Sequence, residues 1–327
     1  MTEVSLYIFN FSNMILKKII FNIAIVIAVV FVFDFGIGKA LRYFYFKETA
    51  GLHFRTTYSM ETTDADILVF GSSRANHHYV PEVFENSLKM SFYNTGRDAN
   101  GIFFQTAVLI SVLKRYTPKV IILDYAGGFK KGDDAYDKLS SLLPYYRTHK
   151  EIRNIIELKS KFERIKLISE IYPFNSQILT IAIGNLEINK KRRPDDKGYV
   201  PLYKEWNTKI DSIETFKGYS RDSDNLIDSN KLIAFRTFVN IAKKSGANVF
   251  VVYSPVFRKF NKSEEIDICN DVCFYENVTF LDFSKDTLFL NNNHLFQDVG
   301  HLNHNGALIF SKLIVDKIKQ SINKNVP

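Results

Sequence analysis

The sequence predicts an α/β protein of three layers, α/β/α, built on a five-stranded parallel sheet, with an N-terminal transmembrane helix and a mainly helical insertion. Three observations lead there. Five short apolar runs, Ile67–Phe70, Ser91–Asn94, Val120–Leu123, Val249–Tyr253 and Val278–Leu281, alternate with segments of helical periodicity. Buried strands that alternate with helices form parallel sheets covered on both faces. From Ile19 to Phe33 only Asn22 interrupts an apolar run, and between Phe129 and about Asp228 the strand-helix alternation disappears.

The apolar run resumes after Asp34 through Phe35 and Ile37, long enough to cross a hydrocarbon core of about 30 Å at roughly 1.5 Å per residue. Lys17 and Lys18 precede it. By the positive-inside tendency they keep the N-terminus in the cytoplasm and leave the rest of the chain outside the cell membrane. The expected division is therefore 1–18 cytoplasmic, 19–38 a single-pass anchor, and 39–63 a juxtamembrane segment. Within it Lys39–Arg55, with Arg42, Tyr43, Phe44, Tyr45, Phe46 and Lys47, has a composition suited to the headgroup layer. Asp34 would sit at the exit interface, where a carboxylate is tolerated. A cleaved signal peptide and a buried core helix are the alternatives, although no convincing small-x-small site ends the run. Met14 is a second candidate start.

Residues 64–129 and 229–327 carry the alternating pattern. Thr62-Thr63-Asp64 reads as a turn into the first strand, Gly71 permits a tight turn out of it, and Pro81 suits a first helical position. Phe103–Leu113 is an apolar helix stopped by Thr117-Pro118; Lys119 and Asp124 flank the third strand. Leu232, Phe235, Val239 and Ala242 share a helix face that Ser245-Gly246 ends, Pro255 halts the fourth strand, and Ala307–Ile318 closes the domain. Residues 130–228 form the insertion, with a charged helix over Glu151–Ile171, a turn at Tyr172-Pro173 and a second helix over Gln177–Ile188. Its basic run Lys190-Lys191-Arg192-Arg193 is either a solvated helix end or a contact for anionic lipid or polymer.

Composition narrows the partners. The 327 residues are 46% apolar, enough for a sizeable core, and carry a formal charge of +8 with a pI near 9.2. Anionic lipid or acidic glycan suits that charge; nucleic acid does not, because the basic residues are scattered and no binding motif accompanies them. Cys269 and Cys273 lack the partner set of a zinc site and are poorly spaced for a disulfide, so they read as a pair of thiols. No cofactor or metal is expected.

The chemistry sits at the two ends of the α/β pattern. Ligands of such sheets bind beyond the strands' C-terminal ends, which is where Gly71-Ser72-Ser73 falls. A serine needs a base within about 2.6–3.2 Å and donors aimed at the developing oxyanion. Asp298-Val299-Gly300-His301 supplies an imidazole and a carboxylate to orient it. Ser73, His301 and Asp298 are thus the candidate nucleophile, base and orienter. Taken alone, an Asp-x-x-His before a helix is more often a capping arrangement, and Gly-Ser-Ser occurs in many turns.

With these motifs the chain resembles the SGNH/GDSL hydrolase superfamily over about Asp64–Phe129 and Asp228–Lys319, leaving anchor and insertion unmatched. That resemblance implies a flavodoxin-like sheet, with Ser73 as nucleophile and as a backbone oxyanion donor. The family's second block, a strand followed by Asn-x-Gly, matches Asn94-Thr95-Gly96, which implies Gly96 as a further donor or a residue a few positions later, such as Asn100. Its third block, Gly-x-Asn, has no match: Asp124-Tyr125-Ala126-Gly127-Gly128 contains no Asn. Either Asn100 or Arg74 substitutes, or the backbone serves alone, or activity is weak. Arg74 and Asp124 are candidate substrate contacts, Asp124 otherwise capping the next turn. His77 and His78 either bind substrate or are solvated loop side chains. Membrane-anchored relatives of bacterial envelopes imply a serine esterase or O-acyltransferase acting on an acylated carbohydrate. The alternative is a catalytically weak domain that binds glycan or a membrane-protein partner during polymer assembly.

Overall fold

The computed structural model describes residues 3–125, 127–132, 134–186, 197–206, 215–216, 226–257, 259–260 and 263–324. The basic run at 190–193 lies outside them. The chain opens with one continuous helix, α1 (Glu3–Lys47). Its Met14–Lys47 portion is long and apolar enough to cross a membrane, with a stretch of mean hydropathy 2.6 of which none is buried.

After α1 come α2 (Gly51–Glu61), β1 (Ile67–Gly71), α3 (Ser73–His78), α4 (Pro81–Leu88), β2 (Phe92–Asn94), α5 (Ile102–Leu113) and β3 (Val120–Asp124). The insertion follows with α6 (Asp134–Asp137), α7 (Arg153–Glu157), α8 (Glu163–Lys166), α9 (Ile178–Asn185) and the two-residue β4 (Thr215–Phe216). The second half of the domain is α10 (Ser229–Lys244), β5 (Asn248–Tyr253), β6 (Lys259–Phe260), α11 (Glu264–Tyr275), β7 (Thr279–Asp282), α12 (Thr287–Leu290), β8 (Phe296–Asp298), β9 (His301–Leu302) and α13 (His304–Lys324).

Five strands make the main sheet in the order β2-β1-β3-β5-β7, and every pairing is parallel. Counting those strands alone, the order is 2-1-3-4-5, the flavodoxin-like arrangement, whose switch point lies between β1 and β3. Alternate residues divide the core. Leu68, Phe70, Ile121, Leu123, Val249 and Val251 face α5, α10 and α11, whereas Ile67, Val69, Val120, Ile122, Phe250 and Val252 face α4 and α13. All are buried, as a doubly covered parallel sheet requires.

Two expectations need correction. Lys39–Arg55 does not lie wholly in a headgroup layer, because Tyr45, Glu48, His53 and Arg55 are buried in the fold. Tyr45 stacks on His53 at 4.4 Å and meets Tyr145 and Phe174 edge-on, and His53 pairs with Glu48 at 2.9 Å. These contacts draw the end of α1 and all of α2 against the insertion and α5. Nor is Glu151–Ile171 one helix. Ser160 starts a new turn, its carbonyl accepting from Glu163 N and its hydroxyl donating to Glu163 Oε2, so α7 and α8 are separate. The break lets Ile152, Ile156 and Leu167 all reach the core cluster that contains Tyr45. The insertion therefore extends the main core.

The insertion also grips α1 directly. Asp34 accepts from Ser169 Oγ at 2.5 Å and Glu170 N at 2.7 Å. One turn later, a Cβ on Gly38 would lie 2.3 Å from Glu170 Cβ, so only glycine permits this approach. Arg147 pairs with Glu170 at 3.1 Å on the same joint. Cys269 and Cys273 are free and buried in α11. Burial pushes both thiols up, Cys273 to about 12.

Candidate active site

At the sheet's switch point Gly71, the last residue of β1, is paired with Asp124, the last of β3. Gly71 has φ of +151°, and a Cβ there would sit 2.5 Å from the Asp124 carbonyl and 2.6 Å from Ala75 Cβ. Glycine alone lets β1 turn this tightly into α3. Ser73 is the first residue of α3 and is half-buried. Its N–H is among those at a helix start that have no intrahelical acceptor.

From the far end of the sequence, β8 and β9 form a short antiparallel hairpin that carries Asp298 and His301. One carboxylate oxygen of Asp298 accepts from Gly300 N at 2.8 Å and His301 N at 3.0 Å, which shapes the turn. The same carboxylate accepts from His301 Nδ1 at 2.9 and 3.0 Å. With that proton on Nδ1, Nε2 is the acceptor, and it lies 2.7 Å from Ser73 Oγ. The structure thus brings the three residues into one hydrogen-bonded line across 228 positions of sequence.

The other candidates fall elsewhere. Gly96 N–H donates to Asn94 Oδ1 at 2.9 Å, so it is not directed at the cleft as the family's second block implied. Gly96 instead allows close packing, since a Cβ there would meet Asn76 N at 2.9 Å and Ala75 Cβ at 3.0 Å. Asn100 is buried, with Nδ2 donating to the Asp98 carbonyl and Oδ1 accepting from Ser141. Arg74 and Asp124 are 5% and 2% exposed and lie beneath the nucleophile turn, where a substrate contact was expected. Arg74 Nη1 donates to the Ser254 carbonyl, and its guanidinium lies over the Tyr253 ring at 4.4 Å. Burial pushes the Asp124 carboxyl up, against the opposing pull of Arg74, Ser254 and Tyr79. Arg74 lies inward between the ends of β3 and β5, where it meets the Ser254 carbonyl and its charge acts on the Asp124 carboxylate.

Both histidines after the nucleophile are buried rather than solvated. His78 Nε2 accepts from Leu302 N at 2.9 Å, so its Nδ1–H donates to Ser254 Oγ at 3.1 Å. Burial, with Arg74 adding to it, pushes His78 well below the usual imidazole value, which keeps the ring neutral and able to accept. It thereby holds the residue next to His301. His77 donates from Nδ1 to the Val200 carbonyl at 2.6 Å and stands at right angles to the His301 ring, 5.6 Å between centroids.

A residue the sequence did not single out ties these pieces together. Arg55 of α2, 8% exposed, directs Nη2 at Asn76 Oδ1 and at the carbonyls of Gly96 (3.0 Å) and Gly198 (2.7 Å). It joins α3, which carries Ser73, to the Asn94–Gly96 segment and the returning end of the insertion. The Gly198 backbone, at φ of +83°, packs so closely on Asn94 that a Cβ would overlap the Asn94 carbonyl. Nothing local in the sequence marks Arg55. For His78, the flanking Ala75 and Tyr79-Val80 were the available sign of a buried turn.

Asp98 closes the group. Its side chain is 47% exposed, so desolvation raises the carboxyl only in part, and His77, Asn76 and Arg55 more than offset this and hold it at about 2, with water screening part of the effect. Its folded value is below the ordinary value of about 3.9, so it adds stability that is fully present above that pH and lost as pH falls toward 2. Asp98→Asn is therefore expected to melt at a lower temperature than wild type at pH 7 and to lose less on acidification from about pH 4 to 2. Parallel pH–melting curves would refute this.

No family model matches the chain, and no curated protein matches it. Among solved structures it is similar to a chain described as a "putative acylhydrolase" from Bacteroides fragilis NCTC 9343. That likeness covers 86% of this chain and 100% of the other, at 12% identity and a TM-score of 0.38. A likeness at that TM-score says nothing of what the site does.

Proposed function

We propose that the protein is a membrane-anchored serine esterase or O-acyltransferase of SGNH/GDSL type that acts on acyl groups of envelope polysaccharide. The observation that carries this reading is the Asp298–His301–Ser73 line, with 2.7 Å between base and nucleophile. Ser73 Oγ attacks the ester carbonyl carbon while its proton passes to His301 Nε2, and Asp298 stabilises the imidazolium. The oxyanion is stabilised by the N–H of Ser73 at the start of α3. Collapse expels the alcohol, which takes the proton from His301 and leaves an acyl-Ser73 ester. Water or a sugar hydroxyl, deprotonated by His301, then attacks that ester and releases Ser73. The carbohydrate substrate and the extracytoplasmic location of the domain come from the family resemblance and from Lys17-Lys18 before the apolar run.

A glycan-binding domain of weak activity is the second reading, favoured by the engagement of Gly96 N–H and the Asn100 amide in other bonds. A fluorophosphonate probe separates the two. Wild-type protein in detergent is expected to be labelled on Ser73, and Ser73→Ala to remain unlabelled. A wild-type chain that resists the probe supports the binding reading.

A further inference from the structure

The insertion exposes more apolar surface than a domain facing only water would. Phe162 is 53% exposed, Ile165 65%, Ile168 62%, Leu179 74% and Leu186 64%. Five large apolar side chains this open on two short neighbouring segments exceed the scattered exposure usual for soluble surfaces. Both segments are fastened to the part of α1 that follows its fully exposed apolar stretch. Ile168 immediately precedes Ser169 and Glu170, which donate to Asp34, and Leu186 follows Asn185, whose Nδ2 donates to the Phe44 carbonyl at 3.0 Å. On α1 itself Phe35, Ile37, Tyr43 and Phe44 remain exposed at this level. The apolar surface of the helix thus continues sideways onto the insertion.

Charge on the same segment suits one occupant. Between 157 and 168 lie Lys159, Lys161, Arg164 and Lys166 against Glu157 and Glu163; Arg164 pairs with Glu157 at 2.7 Å, Lys166 with Glu163 at 3.6 Å and Lys159 with Asp137 at 3.7 Å, so the segment keeps a modest positive excess. Lys161 Nζ lies over the Phe162 ring at 4.9 Å. Apolar side chains interleaved with Lys and Arg are the composition of surfaces that lie in the headgroup layer and attract anionic lipid. We infer that the 162–168 and 178–186 segments form a second membrane contact, a monotopic apron beside the spanning helix that rests on the lipid surface. The inference depends on α1 being an anchor. A second protein would need a complementary apolar face, whereas the lipid is already present wherever α1 spans.

Depth-dependent quenching tests this in the full-length chain. Val26, Ile165, Leu179 and, as a control on the opposite face of the sheet, Lys312 are replaced singly by Cys and labelled with a nitrobenzoxadiazole fluorophore. The native Cys269 and Cys273 need no replacement, being buried with thiol pKa values pushed up. The protein is reconstituted in phosphatidylcholine–phosphatidylglycerol vesicles bearing nitroxides at known depths. Labels at 165 and 179 are expected at about 5–10 Å below the headgroup boundary. The label at 26 is expected near the bilayer centre, and the one at 312 should escape quenching. Quenching at 26 without quenching at 165 and 179 overturns the apron while leaving the anchor in place. No quenching at 26 removes the anchor and the apron with it.

Discussion

Ser73→Ala and His301→Ala are each expected to lower kcat on an activated aryl ester by roughly 10⁴- to 10⁶-fold, and the double variant to lose no more than either alone. Residues that act as one unit fail together, because a hydroxyl without its base is as inert as no hydroxyl. Asp298→Ala should retain somewhat more activity, since His301 is still present but loses the partner that holds its Nδ1–H. Ser72→Ala should matter little, as the neighbouring hydroxyl is not on the line to His301. Steady-state kinetics on the five variants suffices. Multiplying losses in the double variant, or full activity in Ser73→Ala, would sink the proposed chemistry and leave the binding reading.

The second large effect is on folding and comes from α2. Arg55→Met keeps most of the side chain's length but removes every donor, leaving Asn76 Oδ1 and the Gly96 and Gly198 carbonyls buried without it. Leaving a buried acceptor unsatisfied typically costs about 1–3 kcal/mol, and here three lose their donor together. Such a loss, read from the midpoint of a urea titration, approaches the whole stability of many domains. Arg55→Lys should rescue little, because an ammonium on a shorter stem does not present a planar fork. A midpoint within error of wild type for Arg55→Met would show that the three segments hold their places without the guanidinium.

Arg55 also marks where sequence reading stops. The five strands were legible because each carries a short apolar or aromatic stretch, and the turn after β1 was legible because Gly71 sits where a strand must end. Ser73, Asp298 and His301 were legible as local motifs in the right order. Arg55 has no local signature: its acceptors lie 21, 41 and 143 residues away and two are backbone carbonyls, which any residue supplies. Gly96 shows the complementary error. The Asn-x-Gly pattern was visible, but the direction of one N–H depends on the Asn94 side chain folding back on it, which no spacing reports. The helix expected over Glu151–Ile171 broke for a similar reason, because Ser160 finds Glu163 locally and core positions on either side favour a change of direction.

The joint at Asp34, Gly38 and Glu170 bears on how far Ser73 can travel. A disordered tether lets a domain sweep a volume whose radius grows with the square root of its length. Here the helix enters the fold with no tether, and its backbone touches the insertion at Gly38 too closely for even a methyl group. On the membrane reading, Ser73 is held at one height and one tilt above the lipid. Geometry would then act as a filter: of many equivalent acyl groups along a polymer, only those presented at that height are within reach.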